Sequence, residues 1–330
     1  MTILVTGSAG FIGYHVSQGL LQRGEKVVGI DNLNPYYDVN LKNARLEQLK
    51  KQKNFEFQQI DIADKAGMAT FCQKYPDIDR IVHLAAQAGV RYSLSNPQAY
   101  AESNVVGYLN VLEACRVLPI RHCVYASSSS VYGSNQKLPF SVSDPVEQPI
   151  SLYAATKRSC ELMSYTYSHL FNIPITGLRF FTVYGPWGRP DMSAFIFTNA
   201  IFKDEEISIF NHGNMRRNFT YIDDIVQGTI ACLDRAPVPA TEPEGSLVVP
   251  HRLYNIGNSR AENLMDFVQT LERVIGKKAK IRFESLQPGD VKETIADIVD
   301  STRDFNFQPK TNIEEGLKQF VSWYRSYYAV

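Results

Sequence analysis

A chain of 330 residues, 44% of them hydrophobic and 21% charged, has the composition of a globular protein with one or two domains. Its 34 Lys and Arg residues balance 34 Asp and Glu residues, and it contains no run of about 18 uncharged apolar residues, so neither a nucleic-acid-binding nor a membrane protein is indicated. The five cysteines form no CxxC pair and no Cys/His cluster, which predicts reduced thiols, no metal site and a cytoplasmic location.

Apolar, strand-like runs alternate with helix-like segments through the first half of the chain. Strands are predicted at 3–6, 26–30, 55–60, 80–85, 122–126 and 175–180. Helices are predicted near 11–23, 38–52, 64–74, 98–117 and 152–171. This βαβα order predicts an α/β fold with a doubly wound, parallel Rossmann-type sheet that helices cover on both faces.

The alternation stops after the sixth strand, where a loop rich in proline and glycine begins (YGPWGRPDM). Short strands, scattered helices and a predicted linker (APVPATEPEGSLVVP) follow before a last helix. We therefore expect residues 1–180, with returns near 218–260, to form the sheet domain. Residues 181–217 and 261–330 are expected to form a smaller C-terminal substrate lobe.

The first strand leads into the glycine-rich segment TGSAGFIG, which opens the first helix. Glycines at a strand-to-helix turn let the backbone approach a pyrophosphate, and the helix N-terminus attracts its charge. The second strand ends in a carboxylate that could bind the adenosine ribose and would repel a 2′-phosphate, so NAD is favoured over NADP. A turn that merely packs helix on strand is the alternative. The residues expected at this cofactor site are Gly7, Gly10, Phe11, Ile12, Gly13, Asp31 and Asn32.

Four serines follow the fifth strand in ASSSSVYG, where parallel sheets bind their ligands. A solvated surface turn is the alternative explanation of this run. Further along, YAATK places Tyr153 and Lys157 on one face of a helix. A lysine ammonium stabilises a phenolate, so the pair can act as a general base near neutral pH. Such a pair also arises by chance, and it is the position after the fifth strand that makes it a catalytic candidate.

Together, GSAGFIG, Asp31, the serine run and YAATK resemble the extended short-chain dehydrogenase/reductase family over essentially the whole chain. The resemblance implies that Asn104 joins an active-site hydrogen-bond network, and that Tyr153, Lys157 and Ser128 are catalytic, the first two also contacting the cofactor. It further implies that the adenine and the cofactor backbone are lined by Asp61, Ile62, Leu84, Ala85 and Ala86.

Members of this family that act on nucleotide sugars oxidise the sugar C4 hydroxyl with NAD. Dehydratases and decarboxylases carry a carboxylate before the Val-Tyr-Gly, whereas SSSSVYG has none, so epimerisation is the simpler outcome. The segments HLAAQAGVRYSL, ASSSSVYG, SLYAATK and LRFFTVYGPWGRPDM are similar to those of NAD-dependent 4-epimerases that interconvert UDP-glucuronate and UDP-galacturonate. The resemblance implies a substrate site made of Arg91, Ser128, Ser129, Ser130, Thr182, Arg189, Arg217 and Asp290.

A hydroxyl cluster could hold the uronate carboxylate and so prevent the 4-keto intermediate, a β-keto acid, from losing carbon dioxide. Gln287 departs from the family pattern, which has an arginine there, and this leaves one diphosphate contact open. Two alternatives remain: a 4-epimerase of neutral or N-acetylated UDP-hexoses, and a non-enzymatic NAD-binding sensor or scaffold. In the family, the helices at 98–117 and 152–171 pair between subunits, so a homodimer is expected.

Overall fold

The computed structural model describes residues 2–238, 240–241, 247–286 and 291–330. Gln287, Asp290 and much of the predicted linker lie outside the described residues. The strands are β1 Thr2–Thr6, β2 Lys26–Asp31, β3 Phe55–Gln59, β4 Ile78–His83, β5 His122–Ser128, β6 Ile175–Phe180, β7 Thr182–Tyr184, β8 Glu206–Ile209, β9 Arg216–Arg217, β10 Phe219–Tyr221, β11 Ala240–Thr241, β12 Leu247–Val248, β13 His251–Ile256, β14 Glu262–Asn263 and β15 Lys280–Phe283.

The described part of the chain also contains twelve α-helices. They are α1 Phe11–Gln22, α2 Val39–Lys50, α3 Lys65–Lys74, α4 Tyr92–Ser95, α5 Pro97–Tyr100, α6 Gly107–Val117, α7 Leu152–Phe171, α8 Ser193–Phe202, α9 Ile222–Leu233, α10 Leu264–Ile275, α11 Val299–Phe305 and α12 Ile313–Tyr328. Among the described residues, no helix is both long enough and apolar enough to span a membrane.

The central sheet contains seven parallel strands in the order β13-β6-β5-β4-β1-β2-β3. Strands β1 to β6 follow the Rossmann order, in which the direction of strand addition reverses between β1 and β4. The predicted parallel α/β sheet is therefore confirmed. The seventh strand, β13, joins the edge next to β6 from much later in the chain.

Alternate residues of the central strands face two separate apolar cores. Ile3 and Val5 of β1 pack in the core with α1 and α9, whereas Leu4 packs in the core with α3 and α6. Strands that are buried on both faces have nearly continuous apolar sequences, and such strands can therefore be predicted from the sequence. The carboxyl ends of the strands, with the loops that follow them, form the cleft described below.

The segment predicted as one helix at 98–117 differs in the structure. It consists of α5, a π-helical stretch at Ala101–Val106, and α6. Gly107 donates its backbone N–H to the carbonyl of Glu102, five residues earlier, which widens the helix locally. The buried side chain of Asn104 lies in this widened stretch.

Candidate active site

A cleft with a cavity of about 380 Å³ lies at the carboxyl ends of the central strands. It brings together most of the predicted site residues, although they come from segments spread over 180 positions of the chain. The predicted residues that line it are Gly7, Gly10, Phe11, Ile12, Gly13, Asp31, Asn32, Asp61, Ile62, Leu84, Ala85, Ala86, Ser128, Ser129, Ser130, Tyr153, Lys157, Thr182 and Arg189.

The glycine-rich loop is packed too closely for larger residues. A Cβ on Gly7, whose φ is +72°, would lie 2.7 Å from the backbone nitrogen of Ala85. A Cβ on Gly13 would lie 2.1 Å from the carbonyl oxygen of Gly7. No side chain caps the N-terminus of α1 at Gly10. The loop therefore leaves a helix N-terminus open to an anion, as a bound pyrophosphate requires.

Asp31 lies at the end of β2, where a ribose would reach it. Its carboxylate accepts hydrogen bonds from the backbone nitrogens of Leu33, at 2.8 Å, and Ala9, at 3.2 Å. Burial raises the pKa of Asp31, although the positive charge of Lys42 opposes that shift. Asn32 donates a hydrogen bond of 2.9 Å to Asp61, which ties the ends of the second and third strands together.

The pair Tyr153 and Lys157 occupies the first two turns of α7. Ser151 caps this helix by accepting a hydrogen bond from Ala154, so the helix starts directly before Tyr153. Lys157 is buried, and its ammonium donates a hydrogen bond of 2.9 Å to the carbonyl of Ala126 at the end of β5. Tyr153 is half-buried and lines the cavity, as a proton-transferring group must.

The serine run is not a surface turn. Ser127 and Ser128 belong to β5, and Ser129–Tyr132 form a single 3-10 turn. The Ser128 hydroxyl accepts a hydrogen bond of 3.1 Å from the backbone of Ser130. Ser127 instead donates its hydroxyl, at 2.6 Å, to the buried carboxylate of Glu161. Ser128–Ser130 therefore line the cavity, whereas the hydroxyl of Ser127 is engaged by Glu161.

Glu161 supports the serines from below the cleft. Its carboxylate receives two hydrogen bonds from Arg179, of 2.8 and 3.0 Å, and one from Arg158. Burial alone would raise the pKa of Glu161, but the hydrogen bonds and charge of Arg179 outweigh it and hold that pKa below its ordinary value. Glu161, the single acid of α7, is thus ionised and engaged with protein groups.

Arg189 enters the cavity in a pair with Asp191. The guanidinium donates two hydrogen bonds, of 3.0 and 2.6 Å, to that carboxylate. Tyr36 adds a third hydrogen bond to Asp191, of 3.0 Å, from the opposite side of the cleft. Burial would raise the pKa of Asp191, but Arg189 holds it below the ordinary value.

Three of the predicted residues that the structure describes do not line the main cavity. The guanidinium carbon of Arg91 lies 4.5 Å from the centre of the Phe210 ring. Arg217 lines a second cavity of about 180 Å³ that shares Ser129, Ser130 and Thr182 with the first. Asn104 exchanges hydrogen bonds with the backbone of Gln87 and donates one to Thr156, so it positions the loop after β4. Asp290 lies outside the described residues.

Several cavity residues were not predicted from the sequence. Three of them lie in the loop after β2, where the segment NLNPYYD contains two adjacent tyrosines. The polar and aromatic cavity residues without a prediction are Asn34, Tyr36, Tyr37, Lys42, Ser103, Phe180 and Phe181.

Comparisons with known proteins agree with this site. The sequence model of the "NAD dependent epimerase/dehydratase family" matches residues 3–257. "UDP-glucuronate 4-epimerase 4" of Arabidopsis thaliana is 48% identical, over 100% of this chain and 76% of that protein. "Protein CapI" of Staphylococcus aureus is 50% identical over 99% of each chain.

Solved structures give the same result. The crystal structure of UDP-glucuronic acid 4-epimerase from Bacillus cereus, in complex with UDP-glucuronic acid and NAD, superposes with a TM-score of 0.90. It is 34% identical and covers 99% of this chain and 100% of that one. The chain belongs to the NAD dependent epimerase/dehydratase family.

Proposed function

We propose that this protein is an NAD-dependent UDP-glucuronate 4-epimerase, which interconverts UDP-glucuronic and UDP-galacturonic acid. The observation that carries the proposal is that three serines, Ser128–Ser130, line the cavity together with Tyr153 and have no carboxylate among them. The names and bound ligands of the similar proteins support the same substrate.

Tyr153 is the proton-transferring residue of this proposal. Its phenolate takes the proton of the C4 hydroxyl, and the buried ammonium of Lys157 stabilises the negative charge. When bound, NAD supplies the hydride acceptor at C4 and returns the hydride afterwards. The 4-keto sugar turns its other face in between, and Tyr153 then returns the proton to the C4 oxygen, which forms the new hydroxyl. The cycle consumes no external oxidant or reductant.

The 4-keto uronic acid is a β-keto acid, so its carboxylate must be restrained. Carbon dioxide leaves most readily when the breaking C–C bond lies perpendicular to the plane of the ketone. In this proposal the hydroxyls of Ser128–Ser130 and Thr182 hold the carboxylate away from that orientation, and Ser128 also donates to the C4 oxygen. Arg189 lines the same cavity, and Asp191 pairs with its Nε and Nη2.

The nucleotide end is assigned to the second cavity and its surroundings. Arg217 lines that cavity, and its guanidinium suits a diphosphate. Arg216 is instead engaged by Glu293 at 2.7 Å. We propose that Arg91 and Asp290 complete the UDP site, and that residues 181–217 and 261–330 form the UDP-sugar lobe beside an NAD-binding unit of residues 1–180.

A homodimer through α6 and α7 is part of the proposal. Leu109, Leu162, Tyr165 and Leu170 project from these two helices with 40–62% of their surface exposed. Leu112 is fully buried and belongs to the core instead. Pairing of two such helix pairs would cover the apolar surface in a four-helix contact. An activated acidic sugar as product fits a role in polysaccharide biosynthesis.

The proposal is tested with purified protein, UDP-glucuronic acid and no added cofactor, followed by proton NMR of the anomeric region. UDP-galacturonic acid alone is the expected product, which requires retained NAD and controlled decarboxylation together. Accumulation of a UDP-pentose would refute the role of the hydroxyls. Turnover of UDP-glucose or UDP-N-acetylglucosamine instead would mean a neutral-sugar epimerase, and bound NAD without turnover would mean a sensor.

A further inference from the structure

Arg45 is a buried arginine of α2 that lies between the glycine-rich loop and the loop that carries Arg189. It is fully buried, with 0% of its surface exposed. Its Nη1 donates hydrogen bonds of 2.8 Å to the carbonyl of Ala9 and 2.7 Å to the hydroxyl of Tyr37. Its Nε and Nη2 donate to the carbonyl of Trp187, at 3.2 and 2.6 Å, and Nη2 also reaches Gly188 at 3.3 Å.

The two ends of this contact belong to different parts of the site. Ala9 directly precedes Gly10 in the loop that opens α1, whereas Trp187 and Gly188 directly precede Arg189. Trp187 has a φ of +61°, a left-handed conformation that a tryptophan rarely adopts without external support. Two of the guanidinium nitrogens hold the Trp187 carbonyl, so Arg45 supplies that support.

All five of these hydrogen bonds go to neutral oxygens, which is unusual for a buried cation. A guanidinium presents its donors in a rigid, planar fork, so it fixes the distance between the groups that it bridges. Lysine carries the same charge on a single nitrogen and cannot bridge both loops in this way.

From this geometry we propose that Arg45 is a positioning residue that sets the place of Arg189 relative to the cofactor loop. It acts through the backbone of Trp187 and Gly188 and does not contact the substrate. Its loss lets the loop that carries Arg189 and Asp191 move away from the cleft. In the part that concerns substrate, this inference rests on the proposed function, because a displaced Arg189 no longer helps to hold the uronate carboxylate.

The variants Arg45→Met and Arg45→Lys, purified as holoenzymes, test this role by the ratio of UDP-pentose to UDP-galacturonic acid. That ratio does not depend on how much of the protein is active, so a merely destabilised enzyme leaves it unchanged. We expect both variants to form UDP-pentose at about three times or more the level that the parent gives, or the detection limit where the parent gives none, because small displacements of positioning groups change reactivity strongly. Arg80→Met is the matched control, since Arg80 is also a buried arginine but pairs with Glu25 and Asp234 at the other end of β4.

A second measurement is independent of the substrate. In a Trp323→Phe background, Trp187 is the remaining tryptophan, and acrylamide quenching of its fluorescence reports the accessibility of this loop. The Arg45 variants should increase the quenching constant, whereas Arg80→Met should not.

Unchanged quenching or an unchanged product ratio in the folded Arg45 variants would overturn the inference. If the parent protein does not convert UDP-glucuronate, the proposed function fails and the quenching result alone decides the role of Arg45. Arg45→Lys provides both readouts if Arg45→Met does not fold.

Discussion

The ammonium of Lys157 donates a hydrogen bond of 2.9 Å to the carbonyl oxygen of Ala126. This contact fixes the lysine at the floor of the cleft, one helical turn beyond Tyr153, where its charge can act on the phenolate. Burial, with the charge of Lys157, lowers the pKa of the neighbouring His83 to about 3. The histidine is therefore neutral at working pH and adds no charge to this part of the site.

Replacing Tyr153 by phenylalanine removes the proton-transferring hydroxyl and leaves the ring in place. We expect kcat to fall by about 10²–10⁴-fold, the usual contribution of a general acid–base group. The measurement is the initial rate of UDP-galacturonic acid formation by NMR. Tyr327→Phe, in α12, is the control and should keep the parent rate. A loss of less than tenfold in Tyr153→Phe would assign the proton transfer to another group.

Thr182→Val removes one cavity hydroxyl at nearly constant volume. If Thr182 helps to hold the uronate carboxylate, the variant should release more UDP-pentose for each UDP-galacturonic acid formed. Both products are quantified in one NMR experiment, so their ratio is independent of enzyme concentration. An unchanged ratio would remove Thr182 from the proposed carboxylate site.

Glu161→Gln breaks the ion pair below the serines and leaves the buried Arg179 without its charged partner. Removal of one member of a buried pair costs about 3–5 kcal/mol, so the free energy of unfolding in urea should drop by that amount. The double variant Glu161→Met/Arg179→Met leaves no buried charge and should be less destabilised than the sum of the two single variants. An additive result would show that the two side chains do not interact energetically.

Histidine burial predicts a loss of stability in mild acid. Burial lowers the pKa of His15, His122 and His251 to about 4. In the unfolded chain these groups take up a proton near pH 6.5. With respect to these histidines, the free energy of unfolding is therefore highest above pH 6.5, and it decreases as the pH falls from 6.5 towards 4.

We expect the free energy of unfolding to be lower at pH 5 than at pH 7 by at least about 1 kcal/mol. Urea titrations at the two pH values measure the difference. His122→Gln should be less stable than the parent at pH 7 but should lose less stability between pH 7 and pH 5. Equal losses in variant and parent would show that His122 does not contribute.

The proposed dimer predicts that a charge on α7 separates the subunits. Leu162→Glu places a carboxylate at a side chain that is 55% exposed, so the folded monomer should tolerate it. Sedimentation velocity should show a dimer for the parent and a monomer for the variant. Val299→Glu, at another exposed apolar position, is the control and should remain dimeric. A dimeric Leu162→Glu would place the subunit contact elsewhere.

The central strands could be predicted from the sequence to within about two residues because their apolar runs are buried on both faces. The Gly7–Gly13 loop, Asp31 and the Tyr153–Lys157 pair could be placed because their roles depend on short, local spacing. Tyr36–Asp191 and Arg45–Trp187 could not, since their partners are more than 140 positions apart and meet only in the folded chain. The widened helix around Asn104 was also missed, because a π-helical turn leaves the apolar spacing of the sequence almost unchanged.

The late return of β13 to the sheet has a consequence for how the protein is made. His251–Ile256 pair with Ile175–Phe180, so the edge of the sheet stays unpaired until some 75 further residues have been synthesised. At translation rates of about 5–20 residues per second this interval lasts several seconds. During that time the backbone groups along this edge of β6 have no partner strand, and an unpaired strand edge is a place where another chain can pair.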